Sequence, residues 1–159
     1  MPELPEVETI CRGFAKKTRL VDCTFLKVTV GEKPLLWQSS TETDLKDWVE
    51  GRRLDRLERH GKHLLFYLEG GVILRIHLGM TGRLCLKTPP LDYDPYIRLT
   101  FRIDDKDKPF WVFHDVRRFG QVRVFPPGDD PLENIGPEPF SQEVTSKWLS
   151  NQAQGSPAN

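Results

Sequence analysis

The sequence predicts a mainly β fold with peripheral helices: an about eight-stranded β-sandwich or flattened barrel, led by an N-terminal helix. Three observations lead there. Apolar and polar residues alternate with period two over most of the chain, the mark of strands with one buried face. Eight such stretches follow one another, with turn signals at Gly70-Gly71, Pro89-Pro90 and Pro126-Pro127. Helical periodicity is confined to the start of the chain and to two short segments, so the helices lie outside a β core.

Residues 5–18 read as the first helix. Val7, Ile10, Cys11 and Phe14 fall at i, i+3, i+4 and i+7 and form one apolar stripe. Pro5 suits the first turn, where its missing N–H is no loss, and Glu6 and Glu8 complement the positive end of the helix. A second helix is expected from Asp44 to Glu50, with Thr43 as its cap and Gly51 as its stop. Strands are expected at 22–30, 53–60, 63–69, 72–78, 82–87, 97–104, 109–114 and 120–126. Within 72–78, Val72, Leu74, Ile76 and Leu78 share one face, while Ile73, Arg75 and His77 share the other. Leu99, Phe101 and Ile103 likewise point one way. A last helix is expected at 141–150 with Ser141 as its cap. The final nine residues, 151–159, have the composition of a polar linker. No internal repeat is visible.

The length of 159 residues suits one domain with one core. Lys plus Arg and Asp plus Glu are both 23, so the formal net charge is zero. A free-standing nucleic-acid binder usually carries a basic excess, yet RRLDRLERHGK at 52–62 is locally basic. Cys11, Cys23 and Cys85 are odd in number and far apart, which encodes neither a disulfide framework nor a metal site. A reducing compartment fits. The start MPELPEVE has neither the basic nor the apolar region of a secretory signal, and no apolar run approaches the about 18 residues that span a membrane.

The chemistry-bearing feature is the amino terminus. Pro2 is small enough for the initiator Met to be removed, leaving a free secondary amine. An α-amino group has a reference pKa of about 7.7–8.0, and the adjoining helix start disfavours its protonation further. Such an amine can attack an anomeric carbon and form an iminium ion, an electron sink that eases elimination of neighbouring phosphates. Glu3 and Glu6 lie close enough to supply a carboxylate for proton transfer.

MPELPEVET at 1–9, RLERHGKHLLFYL at 56–68, IHLGMTGRL at 76–84, HDVRRFGQVRVF at 114–125 and IGPEPF at 135–140 together resemble, in colinear order, the formamidopyrimidine-DNA glycosylases. That group is one branch of a family shared with endonuclease VIII. The resemblance runs to about residue 150, so residues 1–150 are expected to be the N-terminal catalytic domain. It implies base excision of oxidised purines, 8-oxoguanine and formamidopyrimidines, with abasic-site lyase β,δ-elimination through a Schiff base on Pro2. It implies Pro2 as nucleophile, Glu3 as general acid, Glu6 as support near the lesion and Lys62 as a catalytic phosphate contact. Met80, Arg117 and Phe119 would fill the space left by a flipped nucleotide, and His77 would have a weaker phosphate or structural role.

The implied partner is damaged double-stranded DNA, bound by a monomer with no membrane association. The expected place is the cytoplasm at the nucleoid in a bacterium, or the nucleus in a eukaryote. No cofactor is expected within these residues. The family's helix–two-turn–helix and four-cysteine zinc-finger parts have no counterpart in the sequence, so weak or no activity on duplex DNA is expected of these residues alone. The alternative is a non-catalytic DNA-binding or scaffold remnant of the same fold. Two departures stand out: LDYDPYIRLTF replaces a histidine-bearing segment before the 97–104 strand, and Val116 stands where the family has proline.

Overall fold

The computed structural model describes residues 2–17, 20–36 and 39–154. Helix α1 spans Leu4–Lys17. It is followed by β1 (Phe25–Val30), α2 (Glu42–Val49), β2 (Leu54–His60), β3 (His63–Leu68), β4 (Val72–His77), β5 (Arg83–Lys87), β6 (Ile97–Ile103), β7 (Phe110–His114), β8 (Gln121–Phe125) and α3 (Ser146–Gln154). The strands form two antiparallel four-stranded sheets, ordered β1-β6-β7-β5 and β2-β3-β4-β8. All eight expected strands are present, in the expected sandwich with its N-terminal helix.

The alternation in the sequence becomes the inner face of each sheet. Val72, Leu74 and Ile76 of β4 are fully buried, as are Leu99, Phe101 and Ile103 of β6. Trp111 of β7 is the hub between the layers. Its ring meets Phe66 and Phe101 at 4.8 Å, Phe25 at 5.7 Å and Phe14 of α1 at 6.1 Å. Val7, Cys11 and Phe14 make α1 part of this core, as their helical spacing requires.

The element ends differ from expectation for local reasons. β1 begins at Phe25 instead of 22, because Asp22 sits at φ +76° and Thr24 pairs with Arg53 only as an isolated bridge. α2 begins earlier than Asp44, and its cap is Thr41, not Thr43. Thr41 Oγ accepts from Asp44 N–H at 3.1 Å, and the Asp44 carboxylate accepts from Thr41 N–H at 3.0 Å. Thr43 has Lys46 three residues on and cannot close that reciprocal box.

α3 is capped by Thr145, whose hydroxyl accepts from Trp148 N–H at 3.1 Å. The expected cap Ser141 lies instead in a run of turns, Ser141 N–H to Glu138 C=O and Val144 N–H to Ser141 C=O. The helix continues through Gln154, four residues into the stretch read as linker. The other linker residues 155–159, the helical end expected at 18 and the fate of Met1 lie outside the described residues.

The segment between β8 and α3 passes over the outer face of the β2-β3-β4-β8 sheet as a strap. It is held at three points: Arg75 donates to Pro131 C=O, His60 Nε2 meets Gly136 C=O at 2.9 Å, and Gly61 N–H donates to Glu138 at 2.6 Å. The last of these places the strap against the turn between β2 and β3. No helix among the described residues is long and apolar enough to cross a membrane.

Candidate active site at one end of the sheet

One end of the β2-β3-β4-β8 sheet gathers the residues singled out above. The register pairs His63, the first residue of β3, with His77, the last of β4, and His77 with Gln121, the first of β8. The β2–β3 turn carries Lys62, and the chain beyond β4 carries Met80. The chain leading into β8 carries Arg117 and Phe119. The start of α1 meets this end through an ion pair, Lys62 Nζ to Glu3 Oε2 at 2.8 Å. Pro2, half-buried, immediately precedes Glu3.

This pair sets the electrostatics of the amino terminus. Lys62, by hydrogen bond and by charge, holds the Glu3 carboxyl below the usual carboxylate range. Glu6 occupies the third position of α1, and its carboxylate accepts the Glu3 backbone N–H at 3.0 Å. Glu6 therefore works as half of a capping box that fixes the backbone bearing Glu3.

The turn carrying Lys62 is braced on both sides. Gly61, at φ +55°, donates its N–H to Glu138 and accepts at its C=O from Arg59 at 3.0 Å. Arg59 also binds Glu138 and Glu8, both at 2.6 Å. Glu8 belongs to α1, so one guanidinium ties the helix of Pro2 and Glu3 to the hairpin of Lys62. Sequence reasoning placed no function on Arg59, Glu8 or Glu138. Their one signal was Glu138 inside IGPEPF, and its partner lies 79 residues away.

His77 is oriented. Its Nδ1 accepts from Gly79 N–H at 3.1 Å, which leaves Nε2 to carry the proton of the neutral ring. Burial lowers its pKa, and the charges of Lys62 and Arg75 lower it further. His63 faces it at 4.9 Å between ring centroids. Burial pushes His63 down to about 4, with further lowering from His77, Arg75 and His60. Both rings are neutral near pH 7, and His77 offers an N–H donor beside Lys62.

Met80, Arg117 and Phe119 form a second group on two abutting turns. The backbones touch at Gly79: a Cβ there would stand 2.5 Å from the Phe119 carbonyl carbon, and its φ of +63° also calls for glycine. Met80 is 41% exposed, Arg117 is exposed and Phe119 is half-buried. The Arg117 guanidinium lies 5.0 Å over the Phe119 ring. What holds the turns together is Asp115, fully buried. It accepts from Thr81 Oγ at 2.5 Å, Gly120 N–H at 2.8 Å and Arg117 N–H at 3.2 Å. Arg98, also buried, donates to the Asp115 C=O at 2.6 Å and to the carbonyls of Pro95 and Lys33. Asp115 and Arg98 escaped sequence reading because a buried charge is a tertiary property. Arg98 sits on the polar phase of a strand that reads as half-exposed.

The two departures are also placed. Asp94 turns toward His114 at 3.4 Å and accepts Tyr96 N–H at 2.9 Å, so its charge is partly engaged within the fold. Val116 is 48% exposed at the tip of the Arg117 turn. Among the described residues, no group of three or more His, Cys, Asp or Glu gathers as a metal site.

Comparison with known proteins matches residues 1–122 to the formamidopyrimidine-DNA glycosylase N-terminal domain. A formamidopyrimidine-DNA glycosylase of Bacillus licheniformis is 34% identical over 153 residues, covering 94% of this chain and 54% of that protein. One from Protochlamydia amoebophila is 31% identical over 145 residues, 91% of this chain and 51% of its own length. Among solved structures, Lactococcus lactis formamidopyrimidine-DNA glycosylase bound non-covalently to DNA containing an abasic site superposes with a TM-score of 0.80 at 27% identity. The match covers 95% of this chain and 57% of that one. The same organism's wild-type enzyme with DNA containing N7-benzyl-Fapy-dG gives 0.68 at 28% identity, over 78% of this chain and 44% of that one. The chain thus spans about half the length of the curated relatives it matches.

Proposed function

Since the chain belongs to the formamidopyrimidine-DNA glycosylase family through its N-terminal domain, we propose that residues 1–150 form the catalytic domain of a base-excision enzyme for oxidised purines in duplex DNA, with abasic-site lyase activity. The observation that carries this reading is the Glu3–Lys62 pair at 2.8 Å, next in chain to Pro2 and braced by Arg59.

With Met1 removed, the Pro2 nitrogen attacks C1′ of the damaged nucleotide. The C1′–base bond breaks, and the base leaves with that bond's electron pair and takes the proton that the attacking amine carried. Glu3 donates a proton to the sugar ring oxygen as the ring opens, giving an iminium between Pro2 and C1′. Loss of a C2′ proton expels the 3′ phosphate, and a second elimination expels the 5′ phosphate. Hydrolysis then frees Pro2.

Lys62 has two tasks in this scheme. While it holds Glu3, the carboxyl is harder to protonate. A phosphate beside the lesion that draws the ammonium away lifts that lowering, and its own negative charge makes Glu3 easier to protonate. The pair is 54% and 34% exposed at its two side chains, so it is weak enough to exchange. Neutral His77 donates Nε2–H to the same backbone. Flipping a nucleotide out of the stack costs a few kcal/mol. Exposed Met80 and the Phe119 ring fill the gap, and Arg117 hydrogen-bonds the orphaned base. No cofactor is required for these steps, and the domain acts as a monomer.

The test is borohydride trapping on DNA with an abasic site, with intact-mass analysis of the amino terminus. A covalent adduct that disappears in Pro2→Gly is the expected result. No adduct from protein whose Pro2 amine is free would overturn the reading and leave a scaffold of the same fold.

A further inference from the structure

The outer face of the β2-β3-β4-β8 sheet carries an electrostatic anomaly beyond the candidate site. Arg75 points away from the core, two residues before His77, yet it is only 8% exposed. Directly opposite it in the register stands Arg123 of β8. Both guanidiniums lie over one ring, Phe125, at 4.9 Å and 5.1 Å. Arg75 donates to the Pro131 carbonyl. Among the described residues, neither arginine has a carboxylate partner. The nearby strap acid Asp130 accepts the N–H of Leu132 in its own turn.

Like charges directly across an antiparallel pair destabilise the sheet. A buried cation without a counter-charge adds to that cost. The arrangement therefore creates a positive field that an anion relieves. It is continuous with the site, because His77 lies between Arg75 and Lys62 and feels both charges. Arg123 stands two residues along β8 from Gln121, the register partner of His77, about 6.8 Å along the strand at the usual rise, so a chain of phosphates held at His77 passes within reach of it.

We infer that Arg123, with Arg75 fixed behind it, is an anion seat for a DNA phosphodiester further along the strand that Lys62 and His77 hold. Arg123, half-buried on an edge strand, makes the contact. Arg75, pinned under the strap, supplies the field. This inference rests on the reading of Lys62 as a phosphate contact.

The test measures binding of the 159-residue chain to a fluorescent duplex carrying a stable abasic-site analogue, across a series of salt concentrations. Replacing one phosphate-neutralising cation flattens the slope of log K against log salt by about 0.9. R123A is expected to show that change and a several-fold loss of affinity at the lowest salt, while R123K keeps the parental slope. K62A is the control for the underlying reading and is expected to flatten the slope as well. R123Q serves if R123A does not fold. Parental affinity and slope in R123A, with both reduced in K62A, overturn the seat and leave the active-site reading standing. An R123K loss equal to that of R123A overturns it too, because charge is then not the determinant. No change in either R123A or K62A overturns both.

Discussion

At the residue scale, the site turns on which partner each titratable group holds. The Glu3 carboxyl is held below the ordinary range because Lys62 touches it, so removing the ammonium is expected to return it to that range. An NMR titration of the Glu3 side-chain carbon should give a midpoint below the usual carboxylate value in the parent and a higher one in Lys62→Met. An unchanged midpoint would mean that the ion pair does not persist in solution. His63 works in the opposite sense. Its folded pKa of about 4 lies below the reference value of 6.5, so between those values the unfolded chain binds a proton that the folded chain does not. Stability is therefore fully present above about pH 6.5 and declines as pH falls toward 4. Thermal melts should lose several degrees across that window. His63→Gln, which cannot titrate, should flatten the decline, and a slope identical to the parent's would remove His63 as its source.

At the scale of elements, the two turns bearing Met80 and Arg117–Phe119 are one unit built around Asp115. Three donors from the 79–82 and 115–120 segments converge on its carboxylate. Asp115→Asn puts an amide against donors it cannot satisfy, and a buried donor left without an acceptor costs about 1–3 kcal/mol. Urea denaturation is expected to show a loss in that range or above it, with a larger effect than Thr81→Val, which removes one hydroxyl donor. A loss no greater than that of Thr81→Val would place the hub elsewhere. How much of this was legible in the sequence divides along the same line. Strands and helix α1 were readable because period two and period 3.6 record which face is buried, and Val72, Leu74 and Ile76 obey that rule. Pro2 and Glu3 were readable as a candidate amine and carboxylate from the amino terminus itself, whereas Lys62, Met80, Arg117 and Phe119 were readable only through motif resemblance. Asp115, Arg98, Arg59 and Glu138 were not readable, because their partners come from distant segments and local periodicity carries no record of them. The α2 cap was misplaced by two residues for a local reason instead: two threonines compete, and only Thr41 has a carboxylate, Asp44, three positions on.

At the scale of the molecule, both sheets and α1 converge on the single ring of Trp111, which couples the active end of one sheet to the other sheet and to the helix bearing Pro2. The site's elements are therefore expected to unfold together, with one transition by every probe. Trp111→Ala empties the junction. Truncating a large core aromatic costs about 3–5 kcal/mol, and each kcal/mol lowers Tm by about 2–4 °C in a chain of this size. Trp111→Phe is expected to cost much less, and for a reason beyond volume. The Trp111 indole N–H is buried without a hydrogen-bond partner among the described residues, and phenylalanine removes that unmet donor while keeping a ring against Phe66 and Phe101. Calorimetry and near-UV circular dichroism of the two variants check this. If Phe proved as damaging as Ala, the indole N–H would have to be satisfied in solution. If Ala split the melt into two transitions, the sheets would be independent units, and the brace through Arg59 rather than the common core would be what holds Lys62 to Glu3.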